Sequence, residues 1–578
     1  MGLCIHKTMV SLAKVKAGGR TYWRIVESRR VNGKPRPVPI LNLGTADALL
    51  ERLLNAPQGH LRIQSFQHGD VAALKAAADR LGVEKILDRH LQKLRKPKRR
   101  GLAVGRTLLL AAINRAVQPR SKRAWAKWAK GTSLHRLFPG LKPQALTSQH
   151  FWDQMDCVPM EALGAMEEDL TKAVVKKLGI GLDTLLYDTT NFFTFIASSN
   201  TRSKLTSRGR NKQKRHDLRQ FNLALLVARD GHIPLCSHVY EGKRVDVEVF
   251  EESLTKIRER LASLSLSLED VTFVYDKGNN SKENQARIDG LEVGYVASVC
   301  PAHHRDLMDI PLEQYEPLPD DCSLAGVPCL RLTKEIWGVE RTVVLYLSRQ
   351  LHDGQVRGLE QHLRKRLAKL AEWKQQLEKP RSGPRSEASG RKQAAALATG
   401  QYVKQVLRVE YHHDRKGADR LEYWVDEDAR ERLEKEYLGK RILVTNRGSW
   451  SDEDILLAYR GQSHVEEAFR QLKDDEHLAV RPQYHWTDQK VHVHTFMCLL
   501  ALLLSRVIEH EAREHGRRES LSGVLDLLGT VRLAMVLLPS GKKGGRPRCQ
   551  WQLEECEPDV LDLFRSLVPP KPPFVYTV

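Results

Sequence analysis

Between residues 184 and 299 the sequence changes repeatedly between short apolar runs and longer amphipathic segments, and this order limits the possible folds more than any other feature. Apolar runs rich in β-branched residues predict strands, and apolar residues at helical spacing predict helices. The predicted order is strand, strand, strand, helix, strand, helix, strand, over residues 184–187, 221–229, 233–240, 245–264, 271–275, 281–291 and 295–299. A turn at Asp230-Gly231 joins the second and third strands as a hairpin. The region therefore predicts a mixed α/β sheet.

Positive charge is concentrated in one part of the chain. The net charge is +22, and residues 89–152 contain 16 Lys or Arg and no Asp or Glu. A surface that mixes both signs would not produce such a run, so we interpret it as a footprint for the phosphates of nucleic acid. The basic residues predicted to contact DNA in this run are Arg99, Arg100, Arg106, Lys122, Arg123 and Lys127.

A second basic run covers residues 202–215, and it contains Gly209 and Asn211, which are typical of a loop. Its predicted DNA contacts are Arg210, Lys212 and Arg215. A solvated loop without a DNA contact explains the same residues equally well.

The N-terminal third combines a small β unit with helices. Residues 22–27 and 36–43 alternate around Asn32-Gly33, which predicts a hairpin. Helical spacing follows at 70–94, 102–117 and 121–130. Trp125 and Trp128 share a helix face, where packing in the core is favoured over stacking on bases.

The predicted fold class is α/β, and the strand order over 184–299 is that of the ribonuclease-H-like fold. The pattern is interrupted over 301–450 and resumes with a predicted helix at 452–475. We therefore expect a ribonuclease-H-like catalytic core interrupted by a mostly β insertion. A small β unit and a basic helical DNA-binding region precede it. The predicted boundaries are 1–65 for the β unit, 66–180 for the basic region, 181–300 for the first part of the core, 301–450 for the insertion with a linker at 379–390, 451–510 for the catalytic-helix part of the core, and 511–578 for a C-terminal helical region.

Nine cysteines are spread over the chain without a Cys-x2-Cys motif, which fits a reducing compartment and argues against a thiolate metal site. The first 20 residues lack a signal-peptide pattern, and the longest apolar run, 496–504, is too short to span a bilayer. We expect a cytoplasmic protein in which this run forms a buried helix. His485, His492 and His494 do not have the spacing of a standard zinc site and are interpreted as packing or phosphate contacts.

Two carboxylates follow predicted strands. Asp188 comes after the strand at 184–187, and Asp276 comes after the strand at 271–275. Acids at the ends of adjacent strands can converge, and two close anions are stable together only with a cation between them. Each Asp alone also fits a turn or a cap, and that alternative stays open.

The predicted helix at 452–475 carries an unusual polar stripe. At about 100° per residue, its offsets of 0, 3, 7, 11 and 14 place on one face Tyr459, Gln462, Glu466, Arg470 and Lys473. A core-facing stripe would be apolar, whereas this one suits a carboxylate ligand for a metal with donors for phosphates. The alternative is an exposed face stabilised by ion pairs such as Glu466 with Arg470.

These residues match a known family. Tyr459, Glu466 and Lys473 reproduce the Tyr-x2-Arg-x3-Glu-x6-Lys signature of bacterial insertion-sequence DDE transposases of the IS-four group, and residues 187–190 and 275–279 resemble the family's two Asp motifs. The resemblance to this group covers about residues 180–510, and the N-terminal hairpin with its basic helices resembles the longer-chain branch of the group. It departs from the signature at Gln462, which stands where the family has Arg. Arg470 and Arg460 are candidates for the missing guanidinium, but Arg460 is turned about 100° away from the stripe.

The resemblance implies a specific activity. Asp188, Asp276 and Glu466 would bind two Mg²⁺ ions, with Mn²⁺ as a substitute; Glu467 is a rival third acid that does not keep the register with Tyr459 and Lys473. The protein would bind double-stranded DNA at the terminal inverted repeats of an insertion element, cut it, and join it to target DNA by cut-and-paste transposition. Tyr459, Gln462, Arg470 and Lys473 would contact DNA.

The resemblance also implies roles for other parts of the chain. The insertion would cover the active site and handle a hairpin or flipped base. Trp450 is a stacking candidate, and packing of the insertion onto the core explains it equally well. A homodimer would act in the synaptic complex. Two alternatives stay open: a catalytically inactive, transposase-derived DNA-binding regulator, and a ribonuclease-H-like nuclease or resolvase that does not join strands.

Overall fold

The computed structural model describes residues 10–31, 34–54, 62–91, 102–211, 213–378, 386–413, 419–481, 483–538 and 548–570. The chain divides into two compact units. The first unit contains residues 1–271 and 461–578, and the second contains residues 272–460.

The first unit begins with an antiparallel sheet in the order β1-β2-β3. Its elements are β1 Val10–Ala17, β2 Arg20–Val31, β3 Lys34–Thr45 and the following helix α1 Ala46–Leu54. Val31 is paired with Lys34, so the predicted hairpin is confirmed, although Asn32 and Gly33 themselves lie outside the described residues. Strand β1 is an addition that the sequence pattern did not reveal.

A helical region follows. Its elements are β4 Arg62–Gln67, α2 Gly69–Leu81, α3 Val83–Leu91, α4 Val104–Val117, α5 Trp125–Lys130, α6 Leu134–Leu137, α7 Ser148–Met155 and α8 Met160–Leu178. The helix predicted at 70–94 is two helices, because Gly82 adopts a left-handed φ of 68° that ends the first. Trp125 and Trp128 are buried, and Trp125 packs edge-on against Phe151, which confirms the core-packing interpretation.

Three antiparallel strands in the order β5-β6-β7 form the predicted meander. They are β5 Thr184–Thr194, β6 Arg219–Ala228 and β7 Pro234–Glu241, followed by α9 Asp246–Ser263. The sequence predicted that the first strand ends at Tyr187, and this is wrong. The strand continues through the polar residues after Tyr187, and Asp188 is paired with Leu225 inside it. The residues after Tyr187 are polar and mostly half-buried, so a search for apolar runs does not detect this part of the strand.

The second unit contains a six-stranded mixed sheet in the order β10-β11-β12-β15-β9-β8, in which β8 and β9 are parallel and the other pairs antiparallel. The elements are β8 Thr272–Tyr275, α10 Lys282–Asp289, β9 Gly294–Ser298, α11 Arg305–Met308, β10 Glu316–Pro317, β11 Pro328–Ile336, β12 Val339–Leu347, α12 Arg349–Leu377, α13 Glu387–Leu397, α14 Val403–Val406, β13 Leu407–His412, β14 Arg420–Val425, α15 Glu427–Arg432, β15 Lys440–Thr445 and α16 Asp452–Arg460.

Residues 301–450 differ from the mostly β insertion that we predicted, because helical residues outnumber strand residues among those described. Helix α12 alone has 29 residues, and with α13, α14 and the β13–β14 hairpin it encloses a core around Leu370, Trp373 and Tyr411. Strands β12 and β15 belong instead to the six-stranded sheet of the second unit, where β15 pairs with β9. Both carry unbroken apolar runs (343–345 and 442–444), as expected of strands covered on both faces.

The first unit ends with α17 Gln462–Gln471, α18 Asp488–Glu514, α19 Leu521–Gly529, β16 Arg532–Leu538, β17 Arg548–Leu553 and α20 Pro558–Leu567. Strand β16 pairs with both β17 and β4, so the C-terminal part of the chain shares a sheet with residues 62–67. Among the described residues, α18 is the one helix long and apolar enough to cross a membrane, but 94% of its most apolar window is buried. The run 496–504 is therefore part of a core helix, as predicted.

The helix predicted at 452–475 is also wrong as a single element. Helices α16 and α17 are separated at Gly461, a residue with low helix propensity, and α17 ends before Lys473. The residues of the predicted stripe are therefore divided between two helices and the segment after them. Tyr459 lies on α16, whereas Gln462, Glu466 and Arg470 lie on α17.

Candidate active site

In the first unit, the segment that carries Glu466 is bonded to the strand that carries Asp188. The side-chain Nε2 of Gln462, at the start of α17, donates to the carbonyl oxygen of Tyr187 over 2.9 Å. The ammonium of Lys473, just beyond the end of α17, donates to Oγ1 of Thr190 over 2.5 Å. These two bonds attach α17 to β5 on both sides of Asp188, which is half-buried in the strand.

The two neighbouring acids of α17 have different surroundings. Glu467 accepts a hydrogen bond from the amide of Gln471 (3.2 Å) and pairs with Arg470 (3.4 Å). Glu466 is exposed and, within the described part of the chain, no ion pair involves it. Glu467 is therefore engaged locally, and Glu466 is the acid that is available for a ligand.

Gln462 lies inside the protein. Its side chain is only 8% exposed, and its amide is directed at the backbone of β5. The oxygen of the same amide is buried and has no hydrogen-bond partner among the described residues. In this structure Gln462 thus attaches the helix, a role that differs from the phosphate contact that the signature predicts.

In the second unit, Asp276 follows β8 directly, as the sequence predicted. Its Oδ1 accepts hydrogen bonds from the hydroxyl of Ser298 (2.6 Å) and from the hydroxyl of Tyr459 (3.0 Å). Burial alone would raise the pKa of Asp276, but the bonds from Ser298, the Lys277 backbone and Tyr459 hold it below its usual value. Asp276 is therefore an ionised carboxylate whose two side-chain donors share one oxygen.

The hydroxyl of Tyr459 is itself held by a cation. Arg441 at the start of β15 donates from Nη1 to the Tyr459 oxygen (2.5 Å), and its guanidinium lies 5.3 Å from the ring centroid. Burial, followed by the charge of Asp276, raises the pKa of Tyr459, so the phenol keeps its proton and remains a donor. The sequence predicted a DNA contact for Tyr459, whereas here its hydroxyl is committed to Asp276.

Two members of this network were missed at the level of sequence. Ser298 ends β9, the parallel neighbour of β8, so a polar residue at the end of the adjacent strand was a usable signal. Arg441 lies near Asp276 because β15 pairs with β9, and no local sequence pattern reveals that pairing.

The predicted basic DNA contacts have three different outcomes. Arg99, Arg100 and Lys212 lie outside the described residues. Arg106 is paired with Glu84 (2.7 Å) and Arg215 with Asp217 (2.7 Å). Arg215 is exposed despite this pairing, and the other exposed ones are Arg123, Lys127 and Arg210.

Lys122 contradicts its predicted role on the surface. Its ammonium lies 3.4 Å from Nε2 of His485 and 3.3 Å from Nδ1 of His494. It also lies 4.9 Å from the ring centroid of Phe151. Burial, followed by the charge of Arg115, lowers the pKa of Lys122 well below its usual value. The histidines themselves are buried packing residues, as one of the two sequence interpretations stated.

Among the described residues, no three His, Cys, Asp or Glu side chains form a ready-made metal site. The structure thus contains two partial arrangements of acids, Asp188 with the Glu466 helix in the first unit and Asp276 with Tyr459 in the second.

Family models match two parts of the chain. A model described as IS1634 family transposase, N-terminal domain, matches residues 11–77. A model described as Transposase DDE domain matches residues 194–504, which is more than half of the chain. The chain belongs to the DDE transposases. It is a DNA transposase of the insertion-sequence type, and its matched DDE region contains Asp276 and Glu466 and begins after Asp188.

No curated protein matches this transposase. Among solved structures, one similar chain comes from a cryo-EM structure of a piggyBac transposase synaptic complex with hairpin DNA. It has 7% sequence identity and a TM-score of 0.37, with 80% of this chain and 79% of that chain covered.

Proposed function

We propose that this transposase cuts the ends of its element and joins them to target DNA with Asp188, Asp276 and Glu466 as its catalytic carboxylates, on a ribonuclease-H-like core. The observation that carries the proposal is the attachment of the Glu466 helix to β5 on both sides of Asp188. A helix fixed in this way holds its exposed acid beside the strand without using that acid for the attachment.

The donor set fits hard divalent cations. All three proposed ligands are carboxylates, and Asp276 is kept ionised by its hydrogen bonds. Carboxylate oxygens suit Mg²⁺, which we propose as the ion, or Mn²⁺ as a substitute. When bound, two such ions supply an activated nucleophilic oxygen and a stabilised leaving oxygen for phosphodiester cleavage and strand transfer.

The other side chains of the site position these acids. Tyr459 and Ser298 hold Oδ1 of Asp276, so Oδ2 receives no side-chain hydrogen bond among the described residues and is the oxygen we assign to a metal. Lys473 supplies a positive charge beside Thr190, and Arg470, 77% exposed, is the candidate for the phosphate contact that Gln462 does not make. Arg470 therefore takes the place of the family's arginine in this proposal.

We propose that region 66–180, where Arg123 and Lys127 are exposed, recognises the ends of the element DNA. Region 301–450 would cover the active site. Trp450 in that region lies 5.8 Å from the Arg447 guanidinium and remains a stacking candidate. We further propose a homodimer that joins two terminal inverted repeats, acting on chromosomal DNA in the cytoplasm.

The test uses the full chain and DNA that includes the sequences flanking its coding region. Mg²⁺-dependent cleavage by wild type should disappear with Asp188→Asn, while binding to the same DNA is retained. Asp183→Asn is the matched control, since Asp183 lies just before β5 with an exposed side chain. Equal cleavage by wild type and Asp188→Asn would remove Asp188 from the mechanism.

A strand-transfer assay with pre-cut ends separates a transposase from a nuclease or resolvase. The proposal expects joined product with pre-cut DNA and a target plasmid. Cleavage without any joined product would favour the nuclease, and binding without either reaction would favour the inactive regulator.

A further inference from the structure

An exposed aromatic patch lies in the first unit beyond the end of β5. Among the large apolar side chains of the described residues, Tyr484 is 58% exposed, Trp486 52% and Phe195 42%. Scattered exposed apolar residues need no explanation, but a cluster of aromatic ones marks a binding surface. We call Phe195, Tyr484 and Trp486 the aromatic patch.

The segment that carries two of these rings is fixed from below. Gln483 and His485 are buried, so side chains alternate between inside and outside along 483–486, as in an extended chain. His485 packs edge-on against Trp152 with centroids 4.9 Å apart. Tyr484 and Trp486 are therefore held on the same side of the segment by buried neighbours.

Phe195 is joined to this segment through the backbone. Its N–H donates to the carbonyl oxygen of Gln483 over 2.8 Å, and its ring lies 5.8 Å from that of Tyr484. The Trp486 ring lies nearly parallel to Trp152, with centroids 6.4 Å apart. The segment that carries Tyr484 and Trp486 is thus attached to the residue that follows β5.

A basic loop borders the patch. The amide of Asn200 donates to the carbonyl oxygen of Trp486 (3.3 Å). Asp488 accepts from the hydroxyl of Ser203 (2.6 Å) and from the backbone N–H of Leu205 (3.1 Å). Asp488, two residues after Trp486, is therefore engaged by the loop, and the exposed side chains of Arg202 and Lys204 give the rim a positive charge.

We propose that the aromatic patch stacks unpaired bases of the DNA on which the transposase acts. Aromatic rings beside a basic rim are the chemistry that binds single-stranded nucleic acid without sequence preference. The inference rests on the proposed function, because the patch begins where β5, the strand of Asp188, ends. At about 3.3 Å per residue, Phe195 lies about 23 Å from Asp188, or about seven nucleotides along a DNA strand.

The test is binding of the full chain, without metal, to two DNA molecules of equal length. One is fully paired and the other carries a single-stranded gap of thymidines. Trp486→Ala and Tyr484→Ala should each weaken binding to gapped DNA about fivefold or more and leave binding to paired DNA within about twofold. Trp486→Phe keeps a ring and should restore gapped-DNA binding, and Leu50→Ala, at an exposed apolar residue of α1, should change neither.

Two results would overturn the proposal. Equal loss on both DNA molecules, with an unchanged melting temperature, would mean that the patch does not distinguish unpaired bases. A change of oligomeric state in Trp486→Ala with unchanged DNA binding would make the patch a contact between copies of the chain. Failure of the catalytic assignment is distinguishable, since Asp188→Asn would then still cleave, whereas the binding assay requires no cleavage.

Discussion

The hydroxyl of Tyr459 donates a 3.0 Å hydrogen bond to Oδ1 of Asp276, and the guanidinium of Arg441 donates to that hydroxyl in turn. A guanidinium, a buried phenol and a half-buried carboxylate therefore form one chain of hydrogen bonds. The phenol keeps its proton, so it donates to Asp276 without adding a negative charge beside it. This relationship gives Tyr459 a role in positioning Asp276.

Tyr459→Phe should raise the pKa of Asp276. The native pKa lies below the usual value, so removing one donor to the carboxylate moves it upward. The acidic limb of the pH–rate profile for DNA cleavage should then shift to higher pH, with less change near pH 8. The measurement is that profile for wild type and Tyr459→Phe, with Tyr423→Phe as a control away from Asp276. An unshifted limb would show that the bond does not tune Asp276.

Gln462→Ala should loosen α17. The change removes the hydrogen bond from the Gln462 side-chain amide to the carbonyl oxygen of Tyr187, which costs about 1 kcal/mol in the free energy of unfolding. Cleavage should fall while DNA binding is kept, because Gln462 positions Glu466 and does not touch DNA. Thermal melting and cleavage rates check this, with Gln149→Ala as an exposed control. A loss of DNA binding at unchanged stability would restore the phosphate-contact role.

Lys122→Met and Lys127→Met should differ in their effect on DNA binding. Lys127 is exposed, so its loss should weaken binding and reduce the dependence of affinity on salt. Lys122 is enclosed by His485 and His494, so its loss should leave both properties unchanged. Binding titrations at several salt concentrations compare the two variants. A reduced salt slope for Lys122→Met would mean that this ammonium reaches DNA.

Lys122 also predicts a pH dependence of stability. The pKa of Lys122 in the folded protein is lowered, so between that pKa and the ordinary lysine value of 10.5 the unfolded chain binds more protons than the folded one. Lys122 therefore costs stability at neutral pH, and this cost decreases as pH rises toward 10.5. The difference in unfolding free energy between wild type and Lys122→Met should shrink with rising pH in urea titrations. A constant difference would contradict the burial of the charge.

The sequence predicted most of the α/β elements because their apolar patterns are local. Strands β6 to β9 and helix α9 lie within a few residues of the expected ranges. The polar half of β5 was missed, since an acid-bearing strand interior has no apolar pattern. The break at Gly461 was missed because the prediction counted residue positions along a single helix.

Contacts between distant parts of the chain were beyond local patterns. The acid-free run 89–152 suggested a uniformly positive surface. In the structure, however, Arg106 forms an ion pair with Glu84 and Arg89 with Asp169, and both acids lie outside the run. The attachment by Gln462, the tuning of Asp276 by Ser298 and Arg441, and the burial of Lys122 all depend on pairings across the fold. Residue types and spacing indicated the acids, whereas the roles of their neighbours required coordinates.

We propose that Asp188, Asp276 and Glu466 hold the same metal ions when DNA is bound. The number of Mn²⁺ ions bound by the full chain in complex with pre-cut DNA, measured by electron paramagnetic resonance, tests this assignment. We expect fewer bound ions for Asp188→Asn, Asp276→Asn and Glu466→Gln, with retained DNA binding and no change for Glu467→Gln. Wild-type Mn²⁺ binding by Glu466→Gln, or its loss in Glu467→Gln, would show that Glu466 is not a metal ligand.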